Sequence, residues 1–393
     1  MQPVRVLLAP DSFGTSLTAA QAAAAEAEGW RRAAPADEVD LLPLADGGPG
    51  FVDTLHAALG GRLVPVTVSS PIGEPVPAAL LHAPDGTVYV ESAQAVGLPL
   101  VPLGRRDPTR TSSRGVGELL AHAVAASPRR VVVGLGGSAT NDAGAGMLAA
   151  LGLRGERLGA GGGALTGATA DDLAGLRRLR DRWRDVELLV ATDVDVPLLG
   201  LTGASAGFAP QKGATPEQAQ ALERALDDFA RAAVDALGDD VRPDLLAGAS
   251  RPARQRLTAA PGAGAAGGLG FGLALLGGRL LPGASLVADL VGLDARIAAA
   301  DVVVTGEGRF DWQSLHGKVA SEVARRALAY GVPTVVLAGQ VLVGRRELAA
   351  AGVAAAYAVS DSPDDVPAAL ADPARSLAAR AERVARTWSR AGT

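Results

Sequence analysis

Both ends of the chain alternate short apolar runs with alanine-rich stretches, a strand-then-helix rhythm. Residues 4–10 form a strand-length run, and Asp11-Ser-Phe-Gly-Thr-Ser-Leu17 makes a polar loop beyond it. A helix follows to about Arg32, then a strand over 39–44, the turn Ala45-Asp-Gly-Gly-Pro-Gly50, and a helix from about Phe51. Near the other end, Asp301-Val-Val-Val-Thr305 reads as a strand and the segment from Glu307 to Lys318 as its loop. A helix then runs to about Tyr330, and strands over 333–338 and 352–359 close the pattern. Such alternation predicts a parallel sheet with polar loops at its strand carboxyl ends, the edge where open α/β sheets bind ligands.

The middle follows another pattern. Arg62-Leu-Val-Pro-Val-Thr-Val68 and Thr87-Val-Tyr-Val-Glu91 read as strands separated by turns such as Pro84-Asp-Gly86, which suits a mixed or antiparallel sheet. Thr111-Ser-Ser-Arg-Gly-Val-Gly-Glu118 opens a helix, with Ser113 or a neighbour as its cap. Residues 155–180 are rich in Gly, Leu and Arg, with a loop at Gly159-Ala-Gly-Gly-Gly163. A strand over 186–192 ends in Asp193-Val-Asp195, and Thr215-Pro216 starts a long amphipathic helix. The expected fold is α/β with two domains. Residues 1–61 and 295–393 build a discontinuous, doubly wound, Rossmann-like domain, and residues 62–294 form an inserted α/β domain of mixed sheet.

Within the insertion, Val131-Val-Val-Gly-Leu-Gly-Gly-Ser-Ala-Thr-Asn-Asp-Ala-Gly-Ala-Gly-Met147 runs from a buried strand through a glycine-rich turn into a helix. Backbone N–H groups and the positive end of a helix dipole suit such a turn to anions. Asn141, the only asparagine of the chain, lies in it. The spacing alone equally fits an ordinary connection in which Asn serves as a turn or cap residue.

Composition narrows the chemistry. The 393 residues are 48% hydrophobic and 20% charged, enough for sizeable cores. A net charge of −5 argues against a general nucleic-acid binder. With no cysteine, a disulfide framework and a thiol nucleophile are excluded. No signal pattern and no apolar run of membrane-spanning length is seen, so a soluble cytoplasmic protein without membrane partners is expected. Lysine occurs twice, at Lys212 and Lys318, against arginine almost everywhere else, and both lysines sit in glycine-flanked polar segments. A compact ammonium at those two places is either required or a chance survival.

Polar clusters recur at the expected strand ends: Asp11-Ser12, Asp46-Gly-Gly48, Asn141-Asp142, Asp193 with Asp195, and Glu307 with Asp311. Carboxylates, two lysines and glycine-rich turns together suit phosphoryl transfer, in which carboxylates hold Mg²⁺ or accept a hydroxyl proton and cations neutralise phosphate oxygens. His316-Gly-Lys-Val319 lacks the glycine and the Ser/Thr of a P-loop. Gly262, Gly264 and Gly267 satisfy G-x-G-x-x-G, but no strand precedes them, so a dinucleotide fingerprint is not expected. His56, His82 and His122 fall in apolar or helical settings and only His316 in a polar motif, with no H-x-x-x-H pair for zinc.

Taken together, these segments resemble the bacterial type of the glycerate kinase family. The resemblance runs in order through Ala9-Pro-Asp-Ser-Phe13, Ala45-Asp-Gly-Gly48, Gly115-Val-Gly-Glu-Leu119, Gly136-Gly-Ser-Ala-Thr-Asn-Asp142, Asp193-Val-Asp195, Pro210-Gln-Lys-Gly-Ala214, the glycines from Gly262 to Gly270, Thr305-Gly-Glu-Gly-Arg309 and Leu315-His-Gly-Lys318. It implies a two-domain kinase that phosphorylates glycerate with ATP and Mg²⁺ in an interdomain cleft. It implies Asp193 as the carboxylate that assists the hydroxyl, with Lys212 and Lys318 as catalytic cations, and Asp46, Asp195 and Glu307 as Mg²⁺ ligands. Substrate and phosphate contacts are expected from Asp11, Ser12, Ser16, Gly136, Gly137, Ser138, Thr140, Asn141, Asp142, Gly267, Gly268, Arg309 and His316.

The chain departs from the family pattern at three loops. Gly14-Thr15 stands where the family has Lys-Gly, Pro49 where it has Glu, and Val196 where it has Asn. These changes leave open a kinase for a different small hydroxy acid, or a member that binds a ligand without turnover. A nicotinamide oxidoreductase is a distant further option.

Overall fold

The computed structural model describes residues 3–238, 252–315 and 317–389. In chain order the strands are Arg5–Leu8 (β1), Glu38–Leu41 (β2), Arg62–Ser69 (β3), Pro75–His82 (β4), Thr87–Glu91 (β5), Arg130–Leu135 (β6), Glu187–Thr192 (β7), Arg279–Pro282 (β8), Val302–Thr305 (β9), Arg309–Phe310 (β10), Thr334–Ala338 (β11), Gln340–Val341 (β12) and Val353–Ala358 (β13). Contacts divide the chain into two compact units. The first holds residues 1–46, 53–59 and 283–393, and the second residues 47–52 and 60–282. Residues 283–294, which the sequence reading assigned to the insertion, group with the terminal unit, and residues 47–52 and 60–61, which it assigned to the terminal domain, group with the inserted one.

The terminal unit is built on a five-stranded, all-parallel sheet in the order β13-β11-β9-β1-β2. Its central strands β9 and β11 are short apolar runs buried on both faces, as a parallel sheet between helices requires, while the edge strands β2 and β13 are partly exposed. Val6, Leu8, Val302, Val304, Val335 and Leu337 face one way with Trp30 and Leu377 of the helices Ala19–Ala33 and Pro373–Trp388. Val336 and Ala338 face the other way, toward Ala320 and Ala324 of the helix Val319–Ala329. The first helix is closed at its start by a capping box in which Thr18 and Gln21 exchange hydrogen bonds. A two-residue ribbon, β10 with β12, stands apart from the main sheet.

The inserted unit carries a six-stranded sheet in the order β3-β4-β5-β6-β7-β8, antiparallel from β3 to β5 and parallel from β5 to β8. Val88, Val131, Val133 and Val190 pack with Leu119, Leu226, Phe229, Leu269 and Phe271 into one core. Phe229 and Phe271 meet edge to face, their centroids 6.3 Å apart. The helix Pro216–Leu237 begins at the expected Thr215, whose side chain and that of Gln218 form a capping box.

Four strands escaped the sequence reading, the two-residue β10 and β12 and, in the inserted unit, β4 and β8. Strand β4 carries Pro75 and Pro77, which argue against a strand, but only Leu81 and His82 pair with β5. The prolines lie where β3 is the sole neighbour, so no ladder bond is lost to them. Strand β8 emerges at the edge straight from a glycine-rich segment that carries no periodic signal. Ser113, expected as a helix cap, makes no side-chain cap bond to the helix Arg114–Ala125. No helix among the described residues is long and apolar enough to cross a membrane.

Candidate functional site

Three carboxylates leave neighbouring strand ends of the terminal unit. Strand β1 runs into Asp11 and β9 into Glu307, and the extension of β2 reaches Asp46. Backbone bonds prolong the pairing past the strands: Asp11 N–H donates to Gly306 O at 2.8 Å and Leu44 N–H to Pro10 O at 2.9 Å. Thr305 Oγ1 adds a bond to Ala9 O at 2.8 Å. The chain steps from β1 to β2 in one direction and from β9 to β11 to β13 in the other. The order therefore reverses between β1 and β9, and this switch point is where a doubly wound sheet opens a crevice.

The electrostatics of this edge are strained. Burial, then the charge of Asp46, hold the Asp11 carboxyl well above its usual range. The Ser12 N–H, 2.6 Å away, and Lys318 pull it down, while Glu307 adds to the rise. Glu307 is also raised, chiefly by burial, against a hydrogen bond from Ser314 and the charge of Lys318. Its Oε1 is buried with no hydrogen-bond partner. Lys318 is the N-cap of the helix Val319–Ala329, an end that favours negative charge. A cation beside the start of a helix is chemically suited to an anion.

Among the described residues, no group of three or more His, Cys, Asp or Glu is arranged to hold a metal ion unaided. Mg²⁺ commonly takes one or two carboxylates and completes its shell with water and substrate phosphates, so a metal that arrives with a phosphate ligand needs no more than one or two of Asp11, Asp46 and Glu307. Ser16 Oγ donates to Phe13 O at 2.6 Å and closes the loop after β1. Arg309 is exposed, its Nε 3.2 Å from Asp311 Oδ2. His316 lies outside the described residues.

In the inserted unit the glycine-rich turn after β6 is laced to a second glycine segment. Ser138 Oγ lies 2.9 Å from Thr140 Oγ1, accepts the Thr140 N–H at 3.0 Å and lies 3.2 Å from Ala266 O. Ala143 N–H donates to Gly267 O at 3.1 Å. Ala266, Gly267 and Gly268 are all left-handed at the start of the run Ala265–Leu275. A Cβ on Gly267 would stand 1.8 Å from Thr140 O, so only glycine lets the two segments approach.

The expected residues divide by what they touch. Asp142 is fully buried, and its carboxylate accepts Ser113 N–H, Ser113 Oγ–H, Gly144 N–H and Gly146 N–H at 2.8–3.2 Å. Burial raises its pKa and these bonds oppose the rise. Asp142 thus holds the turn's backbone in place. Asn141 is fully buried, with Nδ2 donating to Ser205 Oγ at 3.0 Å and Oδ1 left without a partner. Lys212 is 4% exposed and donates to Thr140 O at 2.7 Å. Burial lowers its pKa to about 8, with Asp142 pulling the other way. Asp193 follows β7 directly and is half-buried, whereas Asp195 is exposed. A groove of about 1590 Å³ along β8 includes Thr192 and Asp195 but is lined mainly by residues such as Arg130, Glu187 and Arg279 at the strands' amino ends. Ligands of parallel sheets bind at the opposite edge, so we do not take this groove for the site.

The three departures sit in different surroundings. Gly14 is exposed and left-handed, and a Cβ there would meet nothing within 4 Å. Pro49 is exposed, and its Cγ would lie 3.2 Å from a Cβ on Gly137. Val196 packs on the second glycine segment, accepting the Gly264 N–H at 2.9 Å through its carbonyl. Sequence reasoning missed Ser205 and Glu91, and it gave Ser113 only as a helix cap and not as the partner of Asp142. Glu91 is buried and accepts Gly50 N–H and Val52 N–H at 3.0 and 3.1 Å, so it occupies N–H groups at the start of the helix Phe51–Leu59. These are lone residues whose partners lie far off in the chain, and no local spacing marks them.

The glycerate kinase family model matches residues 6–389. A glycerate kinase of Bacillus subtilis is 42% identical over 345 residues, covering 86% of this chain and 85% of that protein. A glycerate 2-kinase of Escherichia coli is 40% identical over 343 residues, with 86% and 85% covered. The crystal structure of a protein assigned as glycerate kinase 2 from Salmonella typhimurium LT2 shares the fold, with a TM-score of 0.77, 37% identity and 98% of both chains covered. Match and fold extend over nearly the entire chain, and they agree with the motifs at the strand ends: the chain is an enzyme of the glycerate kinase family.

Proposed function

We propose that this enzyme transfers the γ-phosphoryl group of ATP to a hydroxyl of glycerate, giving phosphoglycerate and ADP. The observation that carries the reading is the set Asp11, Asp46, Glu307 and Lys318 at the switch point of the terminal unit, in a chain matched along its length by named glycerate kinases. Crowded carboxylates beside one lysine suit a metal–polyphosphate ligand.

In this reading one or two of Asp11, Asp46 and Glu307 would hold Mg²⁺, and Lys318 with the start of its helix would hold phosphate oxygens. Bound Mg²⁺ supplies charge neutralisation on those oxygens. Asp193 accepts the proton of the attacking hydroxyl as its oxygen bonds to the γ-phosphorus and the bond to the ADP oxygen breaks. The turn of residues 136–141 orients the acid through its backbone N–H groups, and Lys212 keeps that turn in shape through Thr140 O. Asp195 is exposed and is the weaker choice for metal.

A second reading, a kinase for another small hydroxy acid, is favoured by open space at Gly14 and by the apolar Val196 against Gly264. ADP release by the purified protein with ATP, Mg²⁺ and D-glycerate, beside a panel of other hydroxy acids, separates the two. Turnover with glycerate, lowered about 10²- to 10⁴-fold in kcat by Asp193→Asn, is expected. Turnover with a different acid alone would replace the first reading by the second. No hydroxyl-dependent ADP release with any acid would sink both.

A further inference from the structure

Glu91 closes strand β5, is 6% exposed, and directs its carboxylate at the backbone of a segment far away in the chain. Gly50 N–H donates to Oε1 at 3.0 Å and Val52 N–H to Oε2 at 3.1 Å, one backbone bond to each oxygen. Gln94 Nε2 donates to Oε2 at 3.4 Å, and Gln94 is itself held through its Oε1, which accepts Ala79 N–H at 2.7 Å. Hydrogen bonds to a carboxylate are roughly twice as strong as those between neutral groups, and one at each oxygen fixes orientation as well as distance.

The same point of the inserted sheet makes room for that segment. Glu91 is in register with Gly134 of β6. A Cβ on Gly134 would stand 2.6 Å from Gly47 O, and one on Gly136 would stand 2.7 Å from Gly48 Cα, so only glycine at both positions lets residues 47–48 lie this close. The residue just before the segment is Asp46. On its other side Leu44 N–H donates to Pro10 O at 2.9 Å. Ala45 and Asp46 thus lie between one anchored point and the segment that Glu91 holds, and a chain supported on both sides presents its side chain in a narrow range of positions. The charge of Asp46 reaches both Asp11 and Glu307, so its placement bears on all three carboxylates.

We propose that Glu91 is a positioning residue for the metal: by holding residues 50–52 it sets Asp46, and through Asp46 the affinity for the metal that accompanies the phosphoryl donor. The inference rests on the reading of Asp11, Asp46 and Glu307 as a metal–polyphosphate site. Glu91 acts without touching metal or nucleotide, because its oxygens are engaged by backbone N–H groups. In glutamine an amide nitrogen replaces one of those oxygens, so one N–H group faces a second donor and the segment is released at that point. Altering a partner that orients a metal's ligand typically costs about 10- to 100-fold in metal affinity.

Calorimetric titration without the acid substrate reads binding apart from turnover. Glu91→Gln should lower the affinity for ATP about 10- to 100-fold in Mg²⁺ and leave it as in wild type in EDTA. Asp46→Asn should show the same pattern, and the double variant should bind no more weakly than the weaker single one, as expected when one residue acts through the other. Gly134→Ala, which crowds Gly47 O and leaves the carboxylate intact, should reproduce the loss, and it serves where Glu91→Gln folds poorly. Wild-type affinity for Mg²⁺-ATP in Glu91→Gln and Gly134→Ala, with a loss in Asp46→Asn, overturns the proposal and leaves the metal reading standing. So do losses that multiply in the double variant, or an equal loss in EDTA, either of which gives Glu91 a purely structural role. If Asp46→Asn binds Mg²⁺-ATP as wild type does, the part given to Asp46 in the metal site fails and this inference fails with it. The expected binding pattern in a protein that phosphorylates no glycerate would refute the proposed reaction and leave the inference in place.

Discussion

Lys212 donates to the Thr140 carbonyl from a position that is 4% exposed, and burial brings its pKa down from 10.5 to about 8. Between those values the unfolded chain still carries the proton that the folded chain has released. Stability therefore rises with pH across that window, as the cost of burying the charge disappears. At about 1.4 kcal/mol per pKa unit the effect amounts to a few kcal/mol. Urea denaturation at pH 7.5, 9 and 10.5 should show wild type gaining stability relative to Lys212→Met, and parallel profiles would refute the assignment. Scarcity had singled this lysine out in the sequence, as it had singled out Asn141. Neither residue's partner was visible there, because Thr140 O and Ser205 Oγ are 72 and 64 residues away.

At the scale of the element, the helix Ala19–Ala33 carries a residue that its pattern does not explain. Glu26 is fully buried, and neither carboxylate oxygen has a hydrogen-bond partner. Burial raises its pKa well above the usual value, so the side chain is held toward its neutral form. An unsatisfied buried polar group costs about 1–3 kcal/mol, and leucine has similar bulk. Glu26→Leu should therefore raise the melting temperature, and a lower one would show that the carboxyl has a role the structure does not reveal. The helix itself was legible from its alanine run and its Thr18–Gln21 box, because those signals are local. Strands β4 and β8 were not, because a strand is stabilised by its neighbours and their pairing is not written in their own residues.

For the whole molecule, the terminal unit gathers carboxylates from residues 11, 46 and 307 onto one sheet edge, so their mutual repulsion is a property of the fold. A ligand that binds the folded state alone stabilises it by mass action, by about 2.7 kcal/mol at a hundredfold excess over Kd. Mg²⁺-ATP should raise the melting temperature by a few degrees in scanning fluorimetry. Chelation of the metal with EDTA should remove most of the gain, and Glu307→Gln should shrink it. An undiminished shift in both experiments would mean that these carboxylates do not hold the metal.

The sequence by itself determined the two α/β rhythms, the strand ends at which polar clusters fall, and the family, since each is written in local composition or in motif order. It also marked both lysines. Only the tertiary structure decided what those residues face. It turned Asp142 inward to four donors, set Lys212 against a carbonyl, and put Asp11 next to the distant Glu307. The reason is physical: strand and helix propensity act over a few residues, whereas burial, charge and hydrogen-bond partnership depend on which distant strands lie side by side.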